Sequence, residues 1–177
     1  MNNDSHNLYA AAQSRTDAKL RYAEVHLGEL HTAERRGDDF DRAHQESFLF
    51  HLLGVRDAFL QELNIHHGCG LEIKSVNRRR IEQVLINKGT RSAALEGLST
   101  IENDQDSWLA HATEMRNHST HRNSIPRVYH QGGENHGGVH LTDTRSGNVL
   151  EKDYVRIFEQ WVEEMRDLIQ RLRNEIS

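Results

Sequence analysis

Apolar residues recur at three- and four-residue spacing along most of this chain, and that spacing predicts amphipathic α-helices. The broadest apolar stripe lies in the second helical segment, which we expect to be the most buried. Glycine-containing breaks separate the early segments, so neighbouring helices can fold back on one another. We predict an all-α bundle of about five helices. The segments that follow the spacing are 8–36, 40–66, 75–87, 91–101, 104–121 and 151–175.

Residues 125–150 depart from the helical pattern. The stretches "PRVYHQ" and "GVHLTD" flank the glycine-rich "GGENHGG", an order typical of a small β-hairpin. Asn148, with Glu151 three residues later, resembles a capping pair for the last helix. The chain shows neither repeats nor a linker. We therefore expect one domain over residues 1–177, with the hairpin inserted before the C-terminal helix.

The last predicted helix carries a narrow apolar seam. Its apolar residues follow an a/d rhythm, which is the rhythm of helices that pack along one line. Apolar residues make up only 36% of the chain, and mean hydropathy is −0.79. A second subunit would complete so small a core, so we expect a homodimer. The seam residues are Tyr154, Phe158, Trp161, Met165, Leu168 and Leu172.

Charge and cysteine content narrow the function classes. The net charge of −5 excludes a broad basic field, so any nucleic-acid contact must be local. Cys69 is the single cysteine, which fits a reducing compartment. The N-terminus lacks the charged and apolar regions of a signal peptide, and no segment approaches the roughly 20 apolar residues of a membrane helix. We expect a cytoplasmic protein with no membrane partner.

The stretch "EMRNHSTHR", residues 114–122, concentrates phosphate-directed chemistry at the end of the fifth predicted helix. It contains Arg116, Asn117 directly after it, and His121 after four intervening residues. This pattern in a helical, proline-poor chain resembles the HEPN superfamily of nucleotide-binding domains. In that family an Arg-x4–6-His motif, often with Asn after the Arg, marks metal-independent endoribonucleases.

The resemblance implies roles for particular residues. Arg116 would stabilise the scissile phosphate, His121 would act as general acid and base, and Asn117 would orient the phosphate. Such chemistry suits the residue types, because histidine titrates near neutral pH and the arginine fork binds two phosphate oxygens. Glu46 is the candidate polar residue on an earlier helix. Further candidate contacts to RNA backbone are Arg78, Arg79, Arg80 and Arg122.

The resemblance also implies partners: RNA, a second protomer that completes the cleft, and an antitoxin or defence-system protein. No cofactor is expected. The family's toxins that pair with a nucleotidyltransferase antitoxin carry a tyrosine two residues after the motif histidine, and this chain has Asn123 there. Positions 116 and 121 lie roughly 140° apart around a regular helix. The helix must therefore end or distort near His121, or a partner chain must complete the site.

Two other interpretations stay open at the level of sequence. The same fold could serve as a non-catalytic interaction module or RNA- or nucleotide-binding module. Alternatively, His111, Glu114 and His118 form one stripe of the same helix and could bind a metal ion together with residues of a second helix. Imidazole suits zinc, nickel or iron.

Overall fold

In the computed structural model the described part of the chain forms six α-helices, where the sequence predicts about five, and one small β-hairpin, as predicted. The hairpin precedes the last helix, and the short segment at residues 91–101 proves to be a helix of its own. At residues 3–5, 121, 129 and 139 the backbone alone is described. The described residues are 3–32, 38–121, 125, 127–129, 139–142, 147–149 and 153–176.

The helix boundaries differ from the predicted ones by a few residues. The tip of the hairpin, "GGENHGG", lies outside the described residues. A short 3₁₀ turn, Ile73–Ser75, separates the second and third helices. The elements are α1 Asn3–Leu30, α2 Asp38–His66, α3 Arg78–Asn87, α4 Ala93–Asn103, α5 Trp108–His121, β1 Arg127–Tyr129, β2 Val139–Leu141 and α6 Tyr154–Asn174.

Helices α1 and α2 form an antiparallel pair with the most extensive contact between any two described elements. Tyr9 near the start of α1 contacts His66 at the end of α2, whereas His26 contacts His44 near the start of α2. Helix α2 ends at His66, and Gly68 terminates it through its backbone conformation. Gly68 adopts a φ of 56°, and the amides of Gly68 and Cys69 return to the carbonyls of Ile65 and Asn64. This is a Schellman cap.

Helix α6 lies across the α1–α2 pair and fills the core. Phe158 stacks on Phe48 of α2, with ring centroids 4.3 Å apart. The six seam residues of α6 are buried within the same chain. The seam therefore packs against α1 and α2 of its own chain, and it gives no separate reason to expect a second subunit. The N-cap differs as well: Asp153 occupies it and accepts a hydrogen bond from the Val155 amide, so Asn148 is not the N-cap of α6. Glu151, its predicted partner, lies outside the described residues.

A buried ion pair ties α6 to α2. Glu62 has no exposed surface, and both of its carboxylate oxygens bond to the Arg173 guanidinium. The Nε–Oε2 distance is 3.0 Å and the Nη2–Oε1 distance is 2.8 Å. Arg173 also reaches α1, donating to the Gln13 carbonyl and lying 2.8 Å from Asp17 Oδ1. One guanidinium therefore joins three helices.

The smaller elements surround this three-helix core. Helix α5 packs against α2, α4 packs against α5 and α6, and α3 lies beside α2 and α4. The two strands pair antiparallel, with Val128 opposite His140. None of the helices in the described part of the chain is long and apolar enough to cross a membrane.

Candidate functional site

The candidate motif lies on the last two turns of α5. Ser107 caps this helix by accepting a hydrogen bond from the Ala110 amide at 3.1 Å, as serine commonly does at an N-cap. Leu109, Ala112 and Met115 are buried and fix the face of α5 that meets the core. This packing decides which positions of the motif turn toward the protein and which turn away.

Arg116 is the most unusual member of the motif. The side chain is partly buried, and its Nη2 donates to Asn117 Oδ1 at 3.2 Å. Its Nε is buried and has no hydrogen-bond partner among the described residues. An unsatisfied buried donor costs about 1–3 kcal/mol, and more when the group is charged. A bound anion that accepts from Nε would remove this cost.

The turn that follows Arg116 bonds back onto the Arg116 carbonyl. The hydroxyls of Ser119 and Thr120 donate to this oxygen at 3.0 and 2.8 Å. Helix α5 then ends at His121, whose backbone alone is described. Because the backbone stays helical to His121, positions 116 and 121 lie roughly 140° apart around the axis. The helical backbone alone does not bring the two positions together.

The other candidate residues lie on other helices or outside the described residues. Glu46 is exposed on α2, and no hydrogen bond or ion pair joins it to Arg116 in the described part of the chain. Arg78 is partly buried and already has partners, with Nε 2.9 Å from Glu102 Oε2 and Nη1 2.6 Å from Ser99 Oγ. Arg79 and Arg80 are exposed in the first turn of α3, which Asn77 caps. Arg122 lies outside the described residues.

The described side chains of the histidine stripe are not arranged as a metal site. Among the described residues, no group of three or more His, Cys, Asp or Glu side chains is arranged to hold a metal ion. His111, Glu114 and His118 are therefore not such a group. His121, which continues the stripe, is described by its backbone alone.

A polar cluster at the start of α2 was not anticipated from the sequence. The Tyr154 hydroxyl donates a short hydrogen bond to the buried Asp41, and burial together with this bond raises the pKa of Tyr154. Arg127 of β1 is almost fully buried, with Nη2 2.6 Å from Asp41 Oδ2 in an ion pair that lacks hydrogen-bond geometry. Gln45 also donates to Asp41. The cluster fastens the hairpin to α2 and α6.

Three clefts are lined by described residues, and Arg116 is not in the lining of these three. One cleft of about 650 Å³ lies between α6 and the facing ends of α4 and α5, with Trp108 and Glu164 in its lining. Two smaller clefts, of about 290 and 440 Å³, lie between α1 and α6 and between α3 and α4. We place the candidate site at Arg116 because its unsatisfied donor belongs to the motif of Arg116, Asn117 and His121.

Comparison with known proteins places the chain in one family. The model of a family of unknown function, DUF6586, matches residues 11–177. The match covers nearly the whole chain, so the chain belongs to this family. Searches of curated proteins and of solved structures found no match.

Proposed function

We propose that this member of DUF6586 is a metal-independent endoribonuclease of the HEPN type. In the proposed reaction a base takes the proton of the RNA 2′-hydroxyl, and the 2′-oxygen attacks the adjacent phosphorus. The bond from phosphorus to the 5′-oxygen breaks, and that oxygen takes a proton as it leaves. The products are a 2′,3′-cyclic phosphate and a 5′-hydroxyl. His121 serves as acid and base, and Arg116 stabilises the charge on the phosphate oxygens.

The observation that carries the proposal is the unsatisfied Nε of Arg116 beside Asn117. The guanidinium keeps a buried donor for an anion, and its Nη2 is oriented by the Asn117 amide oxygen. A planar, permanently charged donor of this kind matches the oxygens of a phosphodiester. Preorganised donors aimed at developing charge are commonly the largest contribution to catalysis. The resemblance of the Arg116, Asn117 and His121 pattern to the HEPN motif supplies the reaction type.

The proposal includes a homodimer. Because the two motif positions diverge around α5, a second protomer would supply the His121 that faces Arg116. The exposed Arg79 and Arg80 would contact the RNA backbone, as would Arg122, which follows His121 in the sequence. Arg78 contributes less, since Glu102 and Ser99 already hold it. Light scattering on the purified chain tests the oligomeric state.

The cellular setting follows from the same resemblance. HEPN ribonucleases include toxins of toxin–antitoxin pairs and abortive-infection proteins, so we place this chain in the cytoplasm, in phage defence or stress response. An antitoxin or defence-system partner would then restrain the activity. Inspection of the neighbouring genes tests this part of the proposal.

The decisive experiment measures cleavage of an unstructured RNA in the presence of EDTA. We expect wild-type protein to produce fragments that end in 2′,3′-cyclic phosphate. Arg116→Ala and His121→Ala should each lower the rate by about 10²-fold or more, the usual loss for a preorganised donor. Arg21→Ala, which alters an exposed arginine of α1, is the matched control and should keep the wild-type rate. Equal rates for wild type and both motif variants would refute the assignment.

Two further variants separate the contributions within the motif. Arg116→Lys keeps the charge but loses the planar fork, so we expect a rate between those of wild type and Arg116→Ala. Asn117→Ala removes the acceptor for Nη2 and should lower the rate less than Arg116→Ala does. Glu46→Gln tests the remaining candidate. Because Glu46 is exposed, we expect little change in the cleavage rate, and a large loss of rate would assign Glu46 a direct role.

A second candidate function is RNA binding without cleavage. It is favoured by the exposed Arg79 and Arg80, together with a motif that the helical backbone does not close within one protomer. In this case a gel-shift assay would detect binding that Arg79→Ala and Arg80→Ala weaken, and the RNA would stay intact. Binding without products across several RNA sequences would favour this function over the ribonuclease.

A further inference from the structure

Three histidines form a row in the contact between α1 and α2. His26 of α1 faces His44 of α2, with the two Nδ1 atoms 3.1 Å apart. The ring of His51, two turns further along α2, stacks on His26 with centroids 5.4 Å apart and an interplanar angle of 7°. All three side chains are partly buried. His44 and His51 are seven residues apart on α2, and nothing local in the sequence identifies His26 as their neighbour.

The hydrogen bond between His26 and His44 limits their protonation. One Nδ1 must donate and the other must accept, so at least one ring is neutral while the bond exists. A doubly protonated pair would present two donors and two positive charges to each other. The Nδ1 of His51 is buried and has no hydrogen-bond partner among the described residues. A proton added there would lack an acceptor.

The charges around the row act mostly in the same direction. Burial lowers the pKa of His51, and the positive charges of Lys19, His26 and Arg15 lower it further. Burial also lowers the pKa of His26, as does His44, whereas Glu29 opposes the shift. The aromatic rings of Tyr22, Phe40 and Phe50 complete the surroundings.

We propose that the histidine row is a proton-sensitive contact that loosens α1 from α2 as the pH falls. The proposal is independent of the ribonuclease assignment. Because the pKa values of His26 and His51 lie below those of the unfolded chain, folding favours the neutral rings. This contribution to stability is complete above the ordinary histidine pKa of about 6.5. It is lost as the pH falls from there toward the lowered pKa values.

A metal ion is the competing explanation for two imidazoles so close together. Two nitrogens 3.1 Å apart could share one ion, but structural zinc sites use four protein ligands. The described residues offer no third ligand in a suitable position. We therefore assign the row to proton binding, and the experiment includes an arm that detects a metal.

The test is amide hydrogen exchange of the full chain at pH 7.5 and 5.5, corrected for intrinsic exchange rates. We expect the protection of the α1 amides around His26 to fall by up to about tenfold for each histidine, because pH 5.5 lies about one unit below the ordinary histidine pKa. Amides of α4, which is remote from the row, provide the internal reference. The double variant His26→Gln/His51→Gln should lose most of this pH dependence. His6→Gln, an exposed histidine on the same helix, should keep it.

Several results would overturn the proposal. One is equal pH dependence of α1 and α4 protection, and another is an unchanged dependence in the double variant. NMR titration that gives His26 and His51 ordinary or raised pKa values would do the same. A pH dependence that disappears in EDTA would assign the row to a metal. If the double variant does not fold at pH 7.5, the variant His51→Phe is measured in its place, because it keeps a stacked ring without a titrating group.

Discussion

The buried pair of Glu62 and Arg173 allows the most quantitative prediction. Glu62 is a fully buried carboxylate whose two oxygens both depend on one guanidinium. Replacing Arg173 with Met keeps most of the aliphatic stem but leaves the carboxylate unpaired. Removing one partner of a buried pair typically costs about 3–5 kcal/mol. The lost contact with the half-exposed Asp17 adds at most about 1 kcal/mol.

This cost is large compared with the stability of an ordinary domain, about 5–15 kcal/mol. For a chain of this length, each kcal/mol shifts the melting temperature by about 2–4 °C. The Arg173→Met variant should therefore melt roughly 6–20 °C below wild type. Urea denaturation followed by far-UV circular dichroism measures the free energy of unfolding directly. Arg171→Met, an exposed position on the same helix, is the control and should stay within about 0.5 kcal/mol of wild type.

A double variant separates the loss of the pair from the cost of the orphaned charge. Glu62→Leu/Arg173→Met removes both ions and fills the space with apolar groups. Such replacements are often neutral or stabilising, so the double variant should be clearly more stable than Arg173→Met alone. Two results would contradict this prediction. One is a loss of less than about 1 kcal/mol of unfolding free energy in Arg173→Met, and the other is that the effects of the two substitutions on this free energy simply add.

Three smaller predictions use the same denaturation assay. Tyr154→Phe removes a donor from the buried Asp41 and should cost about 1–3 kcal/mol; no loss would mean that Gln45 and the ion pair with Arg127 suffice for the carboxylate. Gly28→Ala should stabilise the protein by about 0.5–1 kcal/mol, because an added Cβ meets nothing within 4 Å in α1; a destabilised variant would contradict that open space. Asn77→Ala should cost about 0.5–2 kcal/mol through loss of the α3 cap, with faster amide exchange in α3 as the specific sign.

The helices and the hairpin could be predicted from the sequence because their signals are local. Apolar spacing decides which face of a helix is buried, and Gly68 marks the end of α2 by its own backbone preference. The start of α6 was predicted wrongly from Asn148 and Glu151. Several polar residues precede that helix, and the one whose oxygen meets the second helical amide is Asp153. Local composition does not distinguish among them.

The candidate site was predictable only in part. The positions of Arg116, Asn117 and His121 on one helix end follow from the sequence, because the motif is a single local segment. Arg116 Nε has no hydrogen-bond partner among the described residues because of how α5 packs, and residue spacing does not encode that packing. The bond between Tyr154 and Asp41 joins residues 113 positions apart, and the one between His26 and His44 joins different helices. Such contacts appear only when the helices are placed together.

The separation of Glu62 from Arg173 has a consequence for how the protein is made. The two residues are 111 positions apart, and Arg173 lies in α6, which follows the other helices along the chain. Ribosomes add about 5–20 residues per second, so Glu62 is synthesised roughly 6–22 s before Arg173. During that interval α1 and α2 can pair, but the face that receives α6 stays uncovered. We expect nascent chains that lack α6 to depend on chaperones, and the completed chain to fold when α6 docks.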